Sequence, residues 1–462
     1  MDIALLDRII KAYDIRGLVD EEITPDFTFS LGVAFANFLE MEREPARVVI
    51  GEDMRPSSPD LAQAFSDGIT SQGLDVIRIG LSSTDQLYFA SGHLNLPGAM
   101  FTASHNPAAY NGIKLCKSGA RPIGQESGLR WIKSKIAQGS PMANRPVGSE
   151  THQDLLSSYV DYLFSLFPSD AFSGPFHDRQ LVIAIDAGNG MGGHTAPAVM
   201  ARINAEVHGI FFELDGTFPN HEANPIEPAN LVDLQKLVRA KKADIGLAFD
   251  GDADRCFVVD EQGNLVTPSA LTALIAAREL KKNPGSPIIY NLISSKAVPE
   301  VIIEHGGTPL RSRVGHSFIK QMMADHGAIF GGEHSGHFYF KDFWRADSGM
   351  LAALHAIAAL MEAGTSLSEL LASYNRYSLS GEINTKVDDQ VSAVSRIKSH
   401  YAQGSEPVEF DDLDGLTVSA AHWWFNVRPS NTEPLLRLNV EAENQATMEG
   451  IKSQVLQLMK SQ

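Results

Sequence analysis

Cysteine is almost missing from this chain: Cys116 and Cys256 are the only two among 462 residues. Thiols so far apart exclude a disulfide framework and a Cys-x-x-Cys site, and they suit a reducing, cytoplasmic setting. Positive charge is also scarce. Lys and Arg number 38 against 56 Asp and Glu, a formal net charge of −18, and such a surface repels nucleic acid and anionic membranes. No apolar run approaches the roughly 18 residues of a membrane span. The opening MDIALLDRIIKAYDIRG carries acids early and no small-residue cleavage site, so it does not read as a secretory leader. There is no His-x-x-x-His pair for a transition metal and no G-x-x-x-x-G-K-[ST] loop for a nucleotide. What remains is a small-molecule ligand. An anionic one requires a local positive pocket within this negative field.

What is present is alternation. Hydrophobic content of 44% with 20% charged residues is ordinary for a globular chain, and the length predicts three or four domains. RVVIGED (47–53), DVIRIGL and GAMFTAS read as strands separated by amphipathic helices. The same grammar returns from LVIAIDAGNG to DIGLAFDGDADR, and again from SPIIYNLISS to AIFGGEHSGHFYF. Strands and helices so spaced predict βαβ units in mixed, mostly parallel sheets. After GMLAALHAIAALMEAG the pattern changes to closely spaced strands, GEINTKVDD, GLTVSAA, HWWFNV and LLRLNVEA, with a final helix from Thr447. The expected architecture is α/β: three similar mixed-sheet α/β domains, 1–150, 151–256 and 257–369, plus a smaller α+β domain, 370–462. The stretch 136–150 is the most linker-like.

Chemistry concentrates in a few loops. MFTASHNPAAYNGIK sets Ser104, His105 and Asn106 where an apolar strand runs out, before an expected Tyr-Asn-Gly turn and Lys114. A tight turn explains the polar side chains; so does a serine that carries a transferable group. FDGDADR offers Asp250, Asp252 and Asp254 at alternating positions. In a loop they converge on one cation, and oxygen-only ligands favour Mg²⁺; the bland reading is a solvated acidic turn. A calcium loop with Asp250 first and Glu261 twelfth fails, because its sixth position is Arg255 where a sharp turn needs Gly. VRPSNTEP brings Arg428, Ser430, Asn431 and Thr432 into one loop, a phosphate cradle or a plain surface turn. GGEHSGHFYF and VGHSF add Glu333, His334, Ser335, His337 and His316. Glu and Ser beside Gly suit sugar hydroxyls, and His337 suits proton exchange.

DAGNGMGG satisfies G-x-G-x-x-G after a strand, with Glu213 further on, formally a dinucleotide fingerprint. An NAD-dependent oxidoreductase would leave TASHNP, DGDADR and RPSNTEP unemployed, and glycines for a tight strand–helix turn suffice. A nucleophilic serine, a hard-metal site and a separate phosphate site instead specify phosphoryl exchange. With no nucleotide site, a phosphorylated Ser104 is itself the donor. Arg16, Lys114 and Arg255 are the cations available to offset three carboxylates and a phosphate.

KAYDIRG, TASHNPAAYNGIK, DGDADR, GEHSGH and RPSNTEP, in that order, resemble the motifs of the α-D-phosphohexomutase family, on its bacterial phosphomannomutase/phosphoglucomutase side, over essentially the whole chain. The resemblance implies four domains around a central cleft. It implies reversible phosphoryl transfer between C1 and C6 of hexose phosphates, by way of a phosphoserine and a bisphosphorylated sugar. Ser104 corresponds to the phosphoserine, and with Asp250, Asp252 and Asp254 it completes the Mg²⁺ set. Lys114 and His337 correspond to general base and acid, and Arg16, His105 and Arg255 to residues that orient the phosphate. Glu333, Ser335, Gly315 and His316 correspond to sugar contacts. Arg428, Ser430, Asn431 and Thr432, with Tyr13, correspond to the grip on the non-reacting phosphate. Glucose 1,6-bisphosphate or mannose 1,6-bisphosphate is the implied activator, a phosphosugar the only partner, and a monomer the expected state with a dimer as alternative. His334 stands where relatives often have Met or Gln. Lys296 is the nearest base to a strand where some relatives carry one earlier. The alternatives are a phosphoglucosamine mutase, a phosphosugar-binding protein without turnover, and the oxidoreductase.

Overall fold

A computed structural model describes residues 2–139, 144–429 and 435–460. Four sheets follow one another along the chain. The first comprises β1 (Ile15–Leu18), β2 (Arg47–Glu52), β3 (Asp75–Leu81), β4 (Gly98–Phe101), β5 (Tyr110–Lys117), β6 (Arg121–Pro122) and β7 (Glu150–His152). The second holds β8 (Leu181–Asp186), β9 (Ala205–Ile210), β10 (Ile245–Phe249), β11 (Cys256–Asp260) and β12 (Leu265–Val266). The third holds β13 (Pro287–Asn291), β14 (Thr308–Ser312), β15 (Phe330–Gly332), β16 (Phe338–Phe340) and β17 (Ala346–Asp347). The fourth holds β18 (Ser378–Lys386), β19 (Glu409–Asp411), β20 (Leu416–Ser419), β21 (Trp423–Pro429) and β22 (Leu435–Ala442), every pairing antiparallel.

The first three sheets share one plan. Their orders run β3-β2-β4-β5-β1, β9-β8-β10-β11-β12 and β14-β13-β15-β16-β17. In each, three parallel strands are followed by an antiparallel return strand. The runs VVIG, LAF and FGG are buried on both faces, as central parallel strands must be. The loop into each return strand is the equivalent position in all three units. Ser104 lies between β4 and β5, the aspartates between β10 and β11, and Glu333 to His337 between β15 and β16.

That plan corrects two expectations. Tyr110, Asn111 and Gly112 do not turn; they begin β5 and pair with β1, Arg16 opposite Gly112. A division at 256 would cut the second sheet, because β11 and β12 return along β10. DGDADR closes the hairpin between β10 and β11. The division at 150 meets β7, which pairs with β3 and keeps residues 150–152 in the first sheet.

One apolar core runs through the first three units, taking in Val49, Ile185, Phe330 and Leu354. The fourth has its own, around Phe425, Leu438 and Val455. A polar junction pins the three together. Asp85, from the helix Thr84–Leu94, accepts from Tyr159 Oη at 2.7 Å and from Ser348 Oγ at 2.6 Å, and Ser83 also donates to it. Among the described residues, no helix is long and apolar enough to cross a membrane.

Burial raises the Asp85 carboxyl to about 6, against the pull of those hydroxyl donors. A carboxyl raised on folding favours the native state most when protonated, so this contribution is present at acid pH and lost as pH rises through about 6. Wild type should lose about 2 kcal/mol relative to Asp85→Asn between pH 4 and 7. Urea unfolding of both proteins across that range tests it; a constant difference would show that Asp85 titrates as an ordinary carboxyl.

Candidate active site

The three hairpin loops meet. Ser104 is buried and holds a left-handed backbone, φ 51°, a conformation L-residues keep only when surroundings enforce it. Its amide donates to Thr102 Oγ1 at 2.9 Å. Its hydroxyl donates to Asp250 Oδ2 at 2.8 Å and lies 3.1 Å from His105 Nδ1 and 3.3 Å from Arg255 Nη2. A Cβ on Gly251 would stand 2.3 Å from the Ser104 carbonyl oxygen, so only glycine lets the aspartate loop come this close.

Asp250, Asp252 and Asp254 are all buried, each offering a carboxylate oxygen within 4.8 Å of the others. Such a charge density must be offset. Lys114 Nζ reaches Asp252 Oδ2 at 2.7 Å and Asp254 Oδ2 at 2.6 Å. Arg255 donates through Nε to Asp250 Oδ2 at 2.9 Å and through its amide to Oδ1 at 3.1 Å. Thr84 Oγ1 donates to Asp252 Oδ2 at 2.6 Å. Asp252 Oδ1 is buried and, among the described residues, has no hydrogen-bond partner. An oxygen-only donor set with such an orphaned lone pair fits a hard divalent cation.

Titration follows these contacts. Burial raises Asp250, and Arg255 opposes it, so its carboxyl stands at about 7. Burial also acts to raise Asp254, but Lys114 and His337 outweigh it and hold that carboxyl well below the usual range. Burial disfavours the Lys114 ammonium, yet Asp252 and Asp254 keep it well above the ordinary lysine value. His105, buried beside Arg255 and near Arg16, is held well below the imidazole value, a neutral ring to which Arg255 donates.

The third loop supplies His337. Its Nε2 lies 3.5 Å from Asp254 Oδ1 and 3.8 Å from Asp347 Oδ2, and its Nδ1 is 3.1 Å from Ser335 Oγ. Burial lowers its pKa, Asp254 raises it, and the net is upward. A backbone bridge between Arg255 and His337 locks the second loop to the third. Glu333 accepts from Tyr339 Oη at 2.7 Å and from the Gly315 amide at 3.2 Å. Tyr13 Oη is 3.8 Å from where a Gly315 Cβ would stand, and burial followed by Asp14 and Glu333 raises its phenol. Arg16 binds Asn106 Oδ1 at 2.5 Å and Asp14 at 2.7 Å, beside the serine loop.

Arg428 pairs with Glu382 Oε2 at 2.6 Å, and both act on buried His334 of the third loop. Ser430, Asn431 and Thr432 lie outside the described residues, as does the side chain of His316, whose backbone opens the helix His316–His326. Sequence reading missed Arg55, Thr84, Lys320 and Asp347. Lys320, buried over the Tyr88 ring, pairs with Asp347 at 2.6 Å behind His337; a lysine on an amphipathic helix carries no sequence signal of burial. The DAGNG glycines pack closely: a Cβ on Gly190 would lie 2.6 Å from the Gly251 carbonyl, and Met191 N donates to that oxygen at 2.9 Å. They let the strand–helix turn abut the aspartate loop.

Comparison with known proteins follows the same division. Family models for phosphoglucomutase/phosphomannomutase match in series: α/β/α domain I at residues 7–142, domain II at 157–263, domain III at 267–377 and the C-terminal domain at 382–458. The chain is 38% identical over 461 residues to a phosphomannomutase of Salmonella montevideo, covering 98% of each. It is 39% identical over 440 residues to phosphohexose mutases of Xanthomonas campestris pv. campestris, covering 95% of this chain and 96% of that one. Among solved structures, a phosphoglucomutase/phosphomannomutase family protein of Burkholderia thailandensis superposes with TM-score 0.88 at 29% identity, over 100% of this chain and 98% of that one. Parafusin, a phosphoglucomutase of Paramecium in an open form, shares the fold at TM-score 0.82 and 18% identity, over 97% and 94%.

Because its Cβ would press on loop backbone, Gly190→Ala should cost about 1–3 kcal/mol. Urea unfolding measures it; an unchanged midpoint would show that the aspartate loop has room to retreat.

Proposed function

The chain belongs to the phosphoglucomutase/phosphomannomutase family, and from that premise we propose that it interconverts hexose 1- and 6-phosphates, of mannose, glucose or both, through Ser104. The observation that carries this is the Ser104 hydroxyl, 2.8 Å from Asp250 at the rim of three buried carboxylates. Supporting it, the serine, aspartate and histidine loops occupy the same topological position in three similar domains and converge on one point.

Ser104 carries the phosphoryl group. Asp250, Asp252 and Asp254, with an oxygen of phosphorylated Ser104, would hold Mg²⁺, which when bound would neutralise charge on the phosphoryl oxygens. In the first transfer the P–Oγ bond breaks and a bond forms to a hydroxyl of the hexose monophosphate, giving a bisphosphorylated sugar and free Ser104. Lys114, in its neutral form, takes the hydroxyl proton. His337, whose pKa Asp254 raises, returns a proton to the leaving oxygen. Arg16, His105 and Arg255 orient the phosphate. Glu333 and Ser335, with Gly315 and His316 at the helix start, take the sugar hydroxyls. Arg428, Ser430, Asn431, Thr432 and Tyr13 hold the phosphate that is not reacting. The sugar then turns over in the cleft and its other phosphate returns to Ser104. Glucose 1,6-bisphosphate or mannose 1,6-bisphosphate primes the unphosphorylated serine. A monomer is the proposed state, and both thiols are buried and unpaired, which suits the cytoplasm.

Turnover of glucose 1-phosphate, mannose 1-phosphate and glucosamine 1-phosphate, with catalytic glucose 1,6-bisphosphate and Mg²⁺, tests the reading. Intact mass should show a phosphate-sized increment that Ser104→Ala abolishes, and EDTA should stop turnover until Mg²⁺ is restored. Turnover by Ser104→Ala at the wild-type rate would remove the serine from the mechanism. Lys114→Ala should lose about 10²–10⁴-fold in kcat with little change in KM; near-normal steady-state turnover would place the base elsewhere.

A further inference from the structure

Nothing in the scheme above explains how Ser104 is held in its left-handed conformation. The hydrogen bonds point to Arg55. This side chain is 1% exposed, one of the largest fully buried groups in the protein. Its guanidinium donates from Nη2 to the carbonyls of Ser104 at 2.9 Å and Asn106 at 2.6 Å, and from Nη1 to those of Pro107 at 2.9 Å and Tyr110 at 2.8 Å. One rigid fork therefore satisfies three carbonyls of the loop between β4 and β5 and that of Tyr110, the first residue of β5. Its charge is met by Asp53, whose Oδ2 lies 3.2 Å from Nε. Asp53 is fixed in turn by Ser58 Oγ at 2.6 Å and the Arg55 amide at 3.0 Å.

The second domain closes over this group. The Phe218 ring lies 5.2 Å from the guanidinium carbon, and a Cβ on Gly216 would stand 2.6 Å from Arg55 Cα. The Ser104 carbonyl gripped by Arg55 is also the atom against which Gly251 of the aspartate loop packs. Arg55 thus sits where the serine loop and the carboxylate loop are brought into register, and it touches neither Ser104 Oγ nor any carboxylate of the trio.

We propose that Arg55 is a positioning residue for phosphoryl transfer. By fixing the Ser104 backbone against the aspartate loop it sets the approach of Oγ to the reacting phosphate and contributes nothing to sugar binding. The inference rests on Ser104 as phosphoryl carrier. An error of about 1 Å in such an approach costs on the order of 10²-fold in rate. Lysine preserves the buried charge but cannot span four carbonyls.

The test compares wild type, Arg55→Lys and Arg55→Ala for kcat and KM on glucose 1-phosphate, for phospho-Ser104 by intact mass, and for recovery of the Ala variant by millimolar guanidinium. The expected result is a loss in kcat of about 10²-fold in both variants with KM within threefold, and partial recovery of Arg55→Ala by guanidinium but not by ammonium. Wild-type kcat in both variants, or a loss carried by KM, overturns the proposal. If Arg55→Ala does not fold, Arg55→Lys decides by its kcat and KM alone; if neither folds, the residue serves stability and the proposal falls. Absence of phosphate on Ser104 in the wild type would instead overturn the serine's role itself, a result distinct from any variant's kinetics.

Discussion

Three carboxylates buried within a few ångströms of one another are the constraint on which the rest of this structure depends. A hairpin loop that packs Asp250, Asp252 and Asp254 away from water cannot stand alone, because each unpaired buried charge costs several kcal/mol. Most of the compensation comes from another domain. Lys114 and Thr84 belong to the first unit, and Arg255 is the last residue of the loop itself, just before the return strand. Docking of the first two domains is therefore an electrostatic requirement of the site. The same contacts that stabilise the trio bring Ser104 to it.

Close backbone approach makes that docking tight enough for chemistry. Gly251 against the Ser104 carbonyl, Gly190 against Gly251 and Gly349 against the Arg255 carbonyl leave no room for a side chain. Each glycine is a place where two loops share one layer of atoms. The fourth domain is attached differently. Its bonds to the third are largely polar: the Lys296 amide to Glu441, the Val314 amide to Asp414, Arg311 to Asp411. A separate core joined through polar contacts suits relative motion, while the first three domains share continuous apolar packing. That division of labour fits a rigid transfer centre with a domain able to close over the sugar.

Much of this was legible in the chain. Alternating apolar runs and amphipathic stretches predicted three α/β units and a different fourth, since periodicity is set by which faces are buried. The acidic spacing implies a cation site, and the GxGxxG glycines stand in a strand–helix turn that packs on the aspartate loop. Two readings failed for one reason. Tyr-Asn-Gly looked like a turn, and DGDADR looked like the end of a domain, because each was judged by residue propensity. In the fold, Gly112 is required where a Cβ would meet the Ile15 carbonyl at 2.4 Å, and the aspartate loop turns back into its own sheet.

The sequence by itself determined which residue types stood in each loop, the order of those loops, and the sign of the charge that any pocket would have to overcome. Those properties are local, carried by spacing and composition. Only the tertiary structure decided that three equivalent hairpin loops converge, that Lys114 answers Asp252 and Asp254, and that Arg55 and Lys320 are interior. A lone arginine before a proline, or a lysine on a helix, has no neighbours in sequence that reveal burial. What fixes its role is a set of partners brought close by folding.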